Sequence, residues 1–369
     1  LLTLFKRGKM KILLTGANGY IGRRLKDRLL REKTISLRLF VTHKQTPNAQ
    51  ENIEVVQGNT FDTQSLDRAL EGIDTAYYLI HSMASDNYRE LDRKSAQNFL
   101  DACIKAGVKR IIYLGGLGEK KSASEHLLSR IETGEILSSR PDEVQTVWFR
   151  AGVIIGSGSA SFEIIRHLVE KLPFMITPKW VNTLCQPISQ ADVIEYLSLA
   201  AFLSSHESVM VDVGSQTMSY KELLLGYADA VGLKRTLIPV PFFTPKLSSY
   251  WLTIMTPVPY SIASALIEGL KSEVLLTNAN ATKLFPTVHP LSYREAVNAT
   301  VEEIKTAQVL SRWSDASGKA WETDHANLAD AVFIDRQIIP LEEISTQKVF
   351  DTFCAVGGEN GWFGSDWLW

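Results

Sequence analysis

The chain has 369 residues, 45% hydrophobic and 22% charged, which is enough for a main domain and a smaller second one. A formal net charge of -2 gives nucleic acid no general electrostatic hold and leaves a local basic patch without support. Cys103, Cys185 and Cys354 form no CxxC pair, which argues against a disulfide framework and a zinc site and fits a reducing cytoplasm; no apolar run reaches the ~18 residues of a membrane span.

Residues 1–9 place apolar side chains before basic ones, the reverse of a secretory signal, and Met10 is read as the natural start. Residues 11–15, 36–41, 53–57, 75–80, 110–114 and 145–150 are short apolar runs that read as strands. Helical stretches lie between them. One follows a glycine loop at 20–31, and another, 63–70, has Asp62 as its N-cap. The stretch 86–106 repeats apolar residues at Ala96, Phe99, Leu100 and Cys103 and stops at Gly107, and 125–138 closes before Pro141. This alternation predicts an α/β fold, a doubly wound parallel sheet with helices on both faces.

Beyond Arg150 the alternation loosens. Residues 161–171, 191–203 and 220–231 read as helices and 209–213 as a strand, a small α+β capping portion. The apolar stretch 237–270 is broken by Pro239, Pro241, Pro245, Pro257 and Pro259. It reads as short helices and turns packed on the sheet, with a surface for a lipid-like ligand, a protein partner or a peripheral membrane contact as the alternative. A helix over 293–310 closes the main domain, taken as 10–310, and 311–329 is a polar linker. Residues 330–369 are short strand-like material that opens a second domain, and its ending among Trp362, Trp367 and Trp369 predicts further chain beyond.

The most informative segment is Thr15-Gly16-Ala17-Asn18-Gly19-Tyr20-Ile21-Gly22, a TGxxGxxG loop between a strand and a helix. The first glycine permits the sharp turn, the second lets backbone approach phosphate, and the third lets helix and strand pack closely. A pyrophosphate then rests on the N–H groups and the positive dipole end of the helix, so the loop predicts an NAD(P)(H) site. An acid at the end of the second strand would favour NAD(H). That place reads Thr42, His43 and Lys44 instead, a donor and two bases suited to a 2′-phosphate, so NADP(H) is favoured; the alternative is that His43 and Lys44 are solvated loop residues.

With these residues in place, the chain resembles the short-chain dehydrogenase/reductase superfamily, in its extended and atypical branches, over residues 11–310. Gly58-Asn59-Thr60-Phe61-Asp62 is similar to the family's turn against the adenine, which implies roles for Asn59 and Thr60. Leu79, Ile80 and His81 end the fourth strand where the family lines the cofactor, and Leu114, Gly115 and Gly116 end the fifth. Arg150-Ala151-Gly152-Val153 resembles the loop beside the nicotinamide, and Pro187–Val193 the entry to a late helix. The segments 77–83, 156–162 and 357–362 also resemble a bacterial subgroup that carries a C-terminal helix-grip (START-like) domain enclosing an apolar ligand. The tail from Asp330 would be its first part. That subgroup is distantly similar to the accessory subunit of respiratory complex I that binds NADPH without turning it over.

The departures bear on chemistry. Catalytic members of the family carry Tyr-x-x-x-Lys on the helix after the fifth strand and a serine at that strand's end. Here the spacing reads His126-Leu127-Leu128-Ser129-Arg130, and the serine position falls in Gly115-Gly116. In one reading His126 is a proton donor titrating near neutrality and Arg130, one turn on, anchors ribose or phosphate. In the other, His126 caps or packs and Arg130 pairs with Glu132 or Glu135. His81 is a further candidate for substrate or cofactor contact, Tyr113 reads as core, and Glu163, His167 and Glu170 read as a solvated helix face with no metal. Three functions follow as expectations. They are an NAD(P)H-dependent oxidoreductase on a small or lipid-like carbonyl or quinone, a non-catalytic NADP(H)-binding scaffold or redox sensor, and a hydrophobic-ligand carrier.

Overall fold

In the strand Met10–Thr15 (β1), Ile12, Leu13 and Leu14 are all fully buried, with no alternation, as in a strand covered on both faces. In this computed structural model the described residues are 9–42, 53–81, 87–121, 123–177, 179–239, 269, 272–306 and 345–355. The chain divides into two compact units, Leu1–Ala320 and Trp321–Trp369.

The first unit is built on a seven-stranded parallel sheet. Besides β1 it contains Ile35–Val41 (β2), Ile53–Gln57 (β3), Thr75–Tyr78 (β4), Arg110–Gly116 (β5), Gln145–Ala151 (β6) and Val209–Val213 (β7). Their spatial order is β3-β2-β1-β4-β5-β6-β7. The winding therefore reverses between β1 and β4, and at such a switch point the C-terminal edge of a parallel sheet opens a crevice for a ligand.

The helices Tyr20–Leu30 (α1), Thr63–Leu70 (α2), Tyr88–Ala106 (α3), Glu125–Leu137 (α4), Ala160–Lys171 (α5), Gln190–Ala200 (α6) and Tyr220–Ala230 (α7) follow in order. Leu25 and Leu29 of α1 and Val193 and Leu197 of α6 pack with Ile12 and Leu14 on one face of the sheet. Leu66 of α2, Phe99 and Leu100 of α3 and Ile131 of α4 pack with Leu13 on the other. Each such fully buried aliphatic side chain contributes about 1.5–3 kcal/mol. The doubly wound expectation is met. Gly107 ends α3 in the left-handed conformation, φ 71°, where a side chain would be strained.

A third core holds Phe162 and Val169 of α5, Leu223 and Tyr227 of α7 and Tyr293 and Val297 of a late helix, and forms the smaller α+β portion after Arg150. Its late helices are Asn280–Leu284 (α8) and Tyr293–Lys305 (α9). α9 opens with a capping box between Ser292 and Glu295. The predicted helix at 293–310 thus ends earlier, and 307–310 lie outside the described residues.

Some expectations shift. The strand predicted over 75–80 stops at Tyr78 because the Leu79 N–H turns to the Thr15 hydroxyl, 3.1 Å away, instead of the ladder. Of the proline-punctuated stretch 237–270, residues 237–239 belong to a strand, Thr236–Pro239, paired in parallel with Phe174–Thr177, rather than to helices and turns. Gly269 is helical, and 240–268 and 270 lie outside the described residues. The second unit is described only over 345–355, where Thr346–Cys354 (α10) is helical rather than strand-like. Glycine and proline are absent from that run, and Phe350 and Cys354 stand one turn apart. The predicted linker 311–329 and the remainder of the expected helix-grip tail lie outside the described residues. Among the described residues no helix is long and apolar enough to cross a membrane.

Candidate functional site

The glycine loop joins β1 to α1 at the switch point. Gly16 has φ +66°, and a Cβ there would stand 2.5 Å from the Leu79 carbonyl oxygen, so only glycine fits between β1 and the end of β4. The Gly19 N–H donates to the Gly16 carbonyl at 2.9 Å and closes the turn. A Cβ on Gly22 would overlap the Gly16 carbonyl and lie 2.9 Å from the Ala17 Cα, so α1 reaches the loop only through this residue. Gly19 caps α1 without a side-chain acceptor, as a site meant for an outside anion requires.

The loop's side chains hold it in place. Thr15, fully buried, donates to the Tyr77 carbonyl at 2.9 Å and accepts from the Leu79 N–H. Tyr20 donates to Gln190 Oε1 at 2.9 Å, carries the Arg24 guanidinium 4.4 Å over its ring, and has its phenol pKa pushed up by burial. Arg23 reaches back to the Asn18 carbonyl at 2.9 Å. Ala17 is buried and Ile21 packs on the core. These side chains shape the loop from behind, which leaves ligand contact to backbone.

The other predicted positions gather along the same edge. Thr42, exposed, follows the end of β2, and its carbonyl accepts from Gln57 at 3.1 Å. His43 and Lys44 lie outside the described residues. Asn59 forms a local turn with the Phe61 N–H at 3.0 Å, whereas Thr60 is buried, with Oγ1 taken by Ser95 at 2.7 Å. The Thr60 side chain is therefore part of the core. Leu79 and Ile80 pack on opposite sheet faces. Ala151 pairs with Gly116 at the ends of β6 and β5. A Cβ on Gly152 would meet the Gln186 carbonyl at 2.8 Å, and the Val153 carbonyl accepts from Ile188 at 2.9 Å, so this turn is fixed by backbone.

His81 and His126 meet there. His81 Nε2 lies 3.1 Å from His126 Nδ1, and His81 Nδ1 lies 2.7 Å from Asp92 Oδ2. Ser129 donates to the same Asp92 oxygen at 2.8 Å, and the Asp92 carboxylate is only 3% exposed. Both ring nitrogens of His81 are thus used inside the protein, and it reaches a ligand only through His126. Burial, then the neighbouring His81 and Arg130, pushes the His126 imidazole down to about 3. Burial also lowers His81, outweighing the Asp92 hydrogen bond. The expected titration of His126 near neutrality is therefore corrected: two adjacent half-buried imidazoles beside a guanidinium favour the neutral form.

Arg130 does not pair with Glu132 or Glu135, which are held by Arg89 and Lys120. Its Nη2 donates to the Leu114 carbonyl at 3.1 Å, and its side chain runs beside Gly116. Its Nε is buried with no hydrogen-bond partner among the described residues. Together with the cradle at Gly16 and Gly22, this unsatisfied donor at the end of β5 fits an anionic, hydroxyl-rich cofactor. Tyr113 is core, as expected, and its hydroxyl donates to the Arg130 carbonyl at 2.9 Å. Glu163 and Glu170 pair with Arg166 at 2.8 and 3.4 Å, a helix-face network. Among the described residues no cluster could hold a metal.

Asp92 and Ser129 are the participants that the sequence analysis missed. A signal existed for Asp92: it stands four residues before Ala96 and seven before Phe99, so a charge falls on the apolar stripe of α3.

Comparison with known proteins fits this geometry. Residues 16–139 match the model of a family described as NAD(P)H-binding. Over 116 residues the chain is 28% identical to short-chain dehydrogenase/reductase family 42E member 1 of Xenopus laevis, a match spanning 29% of this chain and 30% of that protein. It is 23% identical over 292 residues to the (4-alkanoyl-5-oxo-2,5-dihydrofuran-3-yl)methyl phosphate reductase of Streptomyces griseus, covering 77% of this chain and 94% of that one. In structure it resembles the Citrobacter sp. triphenylmethane reductase complexed with NADP(H), with a TM-score of 0.64, 19% identity, 78% of this chain and 99% of that one. It also resembles the NADPH-dependent quinone oxidoreductase of Escherichia coli, with a TM-score of 0.62, 18% identity and the same coverage. The chain thus carries an NAD(P)H-binding domain over residues 16–139, on a fold shared with these reductases. Against the Ser/Tyr/Lys site of the superfamily that its sequence resembles, it carries histidine, arginine and two glycines.

Proposed function

We propose that the protein is an NADP(H)-dependent oxidoreductase that interconverts a carbonyl or quinone with its hydroxyl form on a small or apolar substrate. The observation that carries this reading is the half-buried Asp92–His81–His126 chain standing beside Arg130 at the sheet edge that holds the glycine loop. Two neutral imidazoles and a carboxylate withdrawn from water are expensive to bury, and such groups concentrate where protons are handled.

The cofactor, when bound, supplies or takes the hydride. The backbone of Gly16–Gly22 and the dipole of α1 bind its pyrophosphate. Arg130, whose Nε has no partner among the described residues, would hold the ribose end when the cofactor is bound. His126 handles the proton at the substrate oxygen. The lack of an acid at the end of β2, where Thr42 stands, supports NADP(H) over NAD(H).

The test is a fluorescence titration with NADPH and NADH, followed by NADPH oxidation over a panel of aldehydes, ketones and quinones and NADP+ reduction over the matching alcohols. Tighter binding of NADPH and turnover on at least one pair is expected. Tight binding without turnover in either direction would sink the enzyme reading and leave the second one, an NADP(H)-binding scaffold, which the glycines at the family's serine position favour. Equal affinity for the two cofactors would remove the NADP(H) assignment.

A further inference from the structure

The hydrogen-bond chain has a direction, and the direction fixes what His126 can do. An ionised carboxylate can only accept, so Asp92 Oδ2, 2.7 Å from His81 Nδ1, requires the proton of His81 to sit on Nδ1. Ser129, which donates to that same oxygen at 2.8 Å, reinforces its role as acceptor. A neutral His81 then carries a lone pair on Nε2. The atom facing it at 3.1 Å, His126 Nδ1, must be the donor. A neutral His126 with its proton on Nδ1 is left with a lone pair on Nε2, for which the described residues supply no hydrogen-bond partner.

From this we infer that Asp92, acting through His81, sets His126 as a proton acceptor at Nε2, so that the resting site takes the hydroxyl form of its substrate. This rests on the oxidoreductase reading above. The step balances. The substrate O–H bond breaks and an N–H bond forms at His126 Nε2, while the Nδ1 proton of His126 passes to Nε2 of His81. The resulting imidazolium on His81 lies against Asp92, the one anion among the described residues that faces it, with Arg130 the neighbouring cation. The electron pair of the substrate C–H bond leaves as hydride to an oxidised nicotinamide, and a carbonyl remains. Asp92 and His81 are positioning residues, since neither touches the substrate.

The relay explains why two histidines are needed. A single imidazole at position 126, with burial and a guanidinium against it, has nowhere to put the positive charge that it accepts. Passing the charge one ring inward moves it from beside Arg130 to beside Asp92. Tyr88 stands edge-on to His81 with centroids 6.4 Å apart, and the Tyr113 hydroxyl donates to the Arg130 carbonyl.

The test uses the full chain without cofactor, labelled with nitrogen-15 at histidine. Long-range nitrogen–proton correlation near neutral pH is expected to give, for both His81 and His126, a pyrrole-type nitrogen at Nδ1 and a pyridine-type nitrogen at Nε2. A pyrrole-type Nε2 on either ring overturns the inference. Asp92→Ala is then expected to abolish this pattern at His126, a residue that Asp92 does not touch; a folded Asp92→Ala protein with His126 unchanged overturns the positioning role. If that variant does not fold, the wild-type pattern alone decides. This result is independent of turnover. The tautomers can be as stated while every cofactor and substrate test fails, which sinks only the oxidoreductase reading. Turnover with the opposite tautomers sinks only the relay.

Discussion

Acidification through the histidine range is expected to destabilise this protein through His126, and His126→Asn to remove that part of the loss. The imidazole ordinarily titrates at 6.5 and is held at about 3 by burial, by His81 and by Arg130. Between those values the unfolded chain binds a proton at this position that the folded chain refuses. Stability is therefore full above the ordinary value, and falls with pH until the folded value is reached. Each pH unit below the ordinary value removes about 1.4 kcal/mol, so at about pH 5 the His126 share is about 2 kcal/mol. His81, also lowered by burial, acts with the same sign. His167 is likewise lowered by burial and Arg166, but it is common to both proteins and cancels. Asp74, Asp212 and Glu132 are held below ordinary values of 3.8, 3.8 and 4.5, so their losses begin lower on the scale. The assay is urea unfolding of wild type and His126→Asn by circular dichroism, at about pH 7.5 and about pH 5. The wild type should lose about 2 kcal/mol more than the variant between the two conditions. Equal losses would show that His126 titrates normally, and would refute the argument that it is buried neutral.

Three further outcomes follow from packing. Gly22→Ala puts a methyl group into the Gly16 carbonyl and must push α1 off the loop, so NADPH affinity by fluorescence titration should fall more than about tenfold, ~1.4 kcal/mol. Asp212→Ala leaves the Arg150 guanidinium, which it holds at 2.7 and 2.8 Å, buried without a counter-charge; urea unfolding should give a loss of about 3–5 kcal/mol. Gly134→Ala puts a Cβ into overlap with the Trp148 ring and should lower stability by about 1–3 kcal/mol in the same assay, with NADPH affinity retained.

The parts of the fold that were legible in the sequence are those with their own period or punctuation. β1 to β6, α1 to α4 and the glycine loop each carry a run or a cap of their own, and the boundaries moved by a few residues at most. The two-residue strands Ile154–Ile155 and Ile188–Ser189 had no such signal. A pair that short has no periodicity, and its partner lies more than thirty positions away. The site was half legible. His126 stood out by its spacing to Arg130, and His81 by its place after β4, but as separate candidates. Their meeting depends on the α3–α4 packing that Asp92 and Ser129 help to fix from inside. The level at which His126 titrates was misjudged for the same reason, because burial is a property of the packed helices and not of the motif.

The glycines at the family's serine position are also a consequence of packing. A Cβ on Gly115 would stand 2.7 Å from the Trp148 indole nitrogen and 3.1 Å from the Tyr113 ring. One on Gly116 would stand 2.7 Å from Leu127 Cδ1. The Trp148 ring, reaching over from β6, is admitted by Gly134 on α4, where any side chain would overlap it. Gly134, Trp148 and Gly115 thus form one connected choice: the helix gives up a side chain, the indole fills the space, and the strand end must stay bare. A serine at either position therefore needs a compensating change at Trp148 or Leu127. Under the proposed oxidoreductase reading, with no hydroxyl at that strand end, the proton of the substrate hydroxyl falls to His126. In that reading His81, backed by Asp92, is the second group that relieves the imidazole of the proton it accepts.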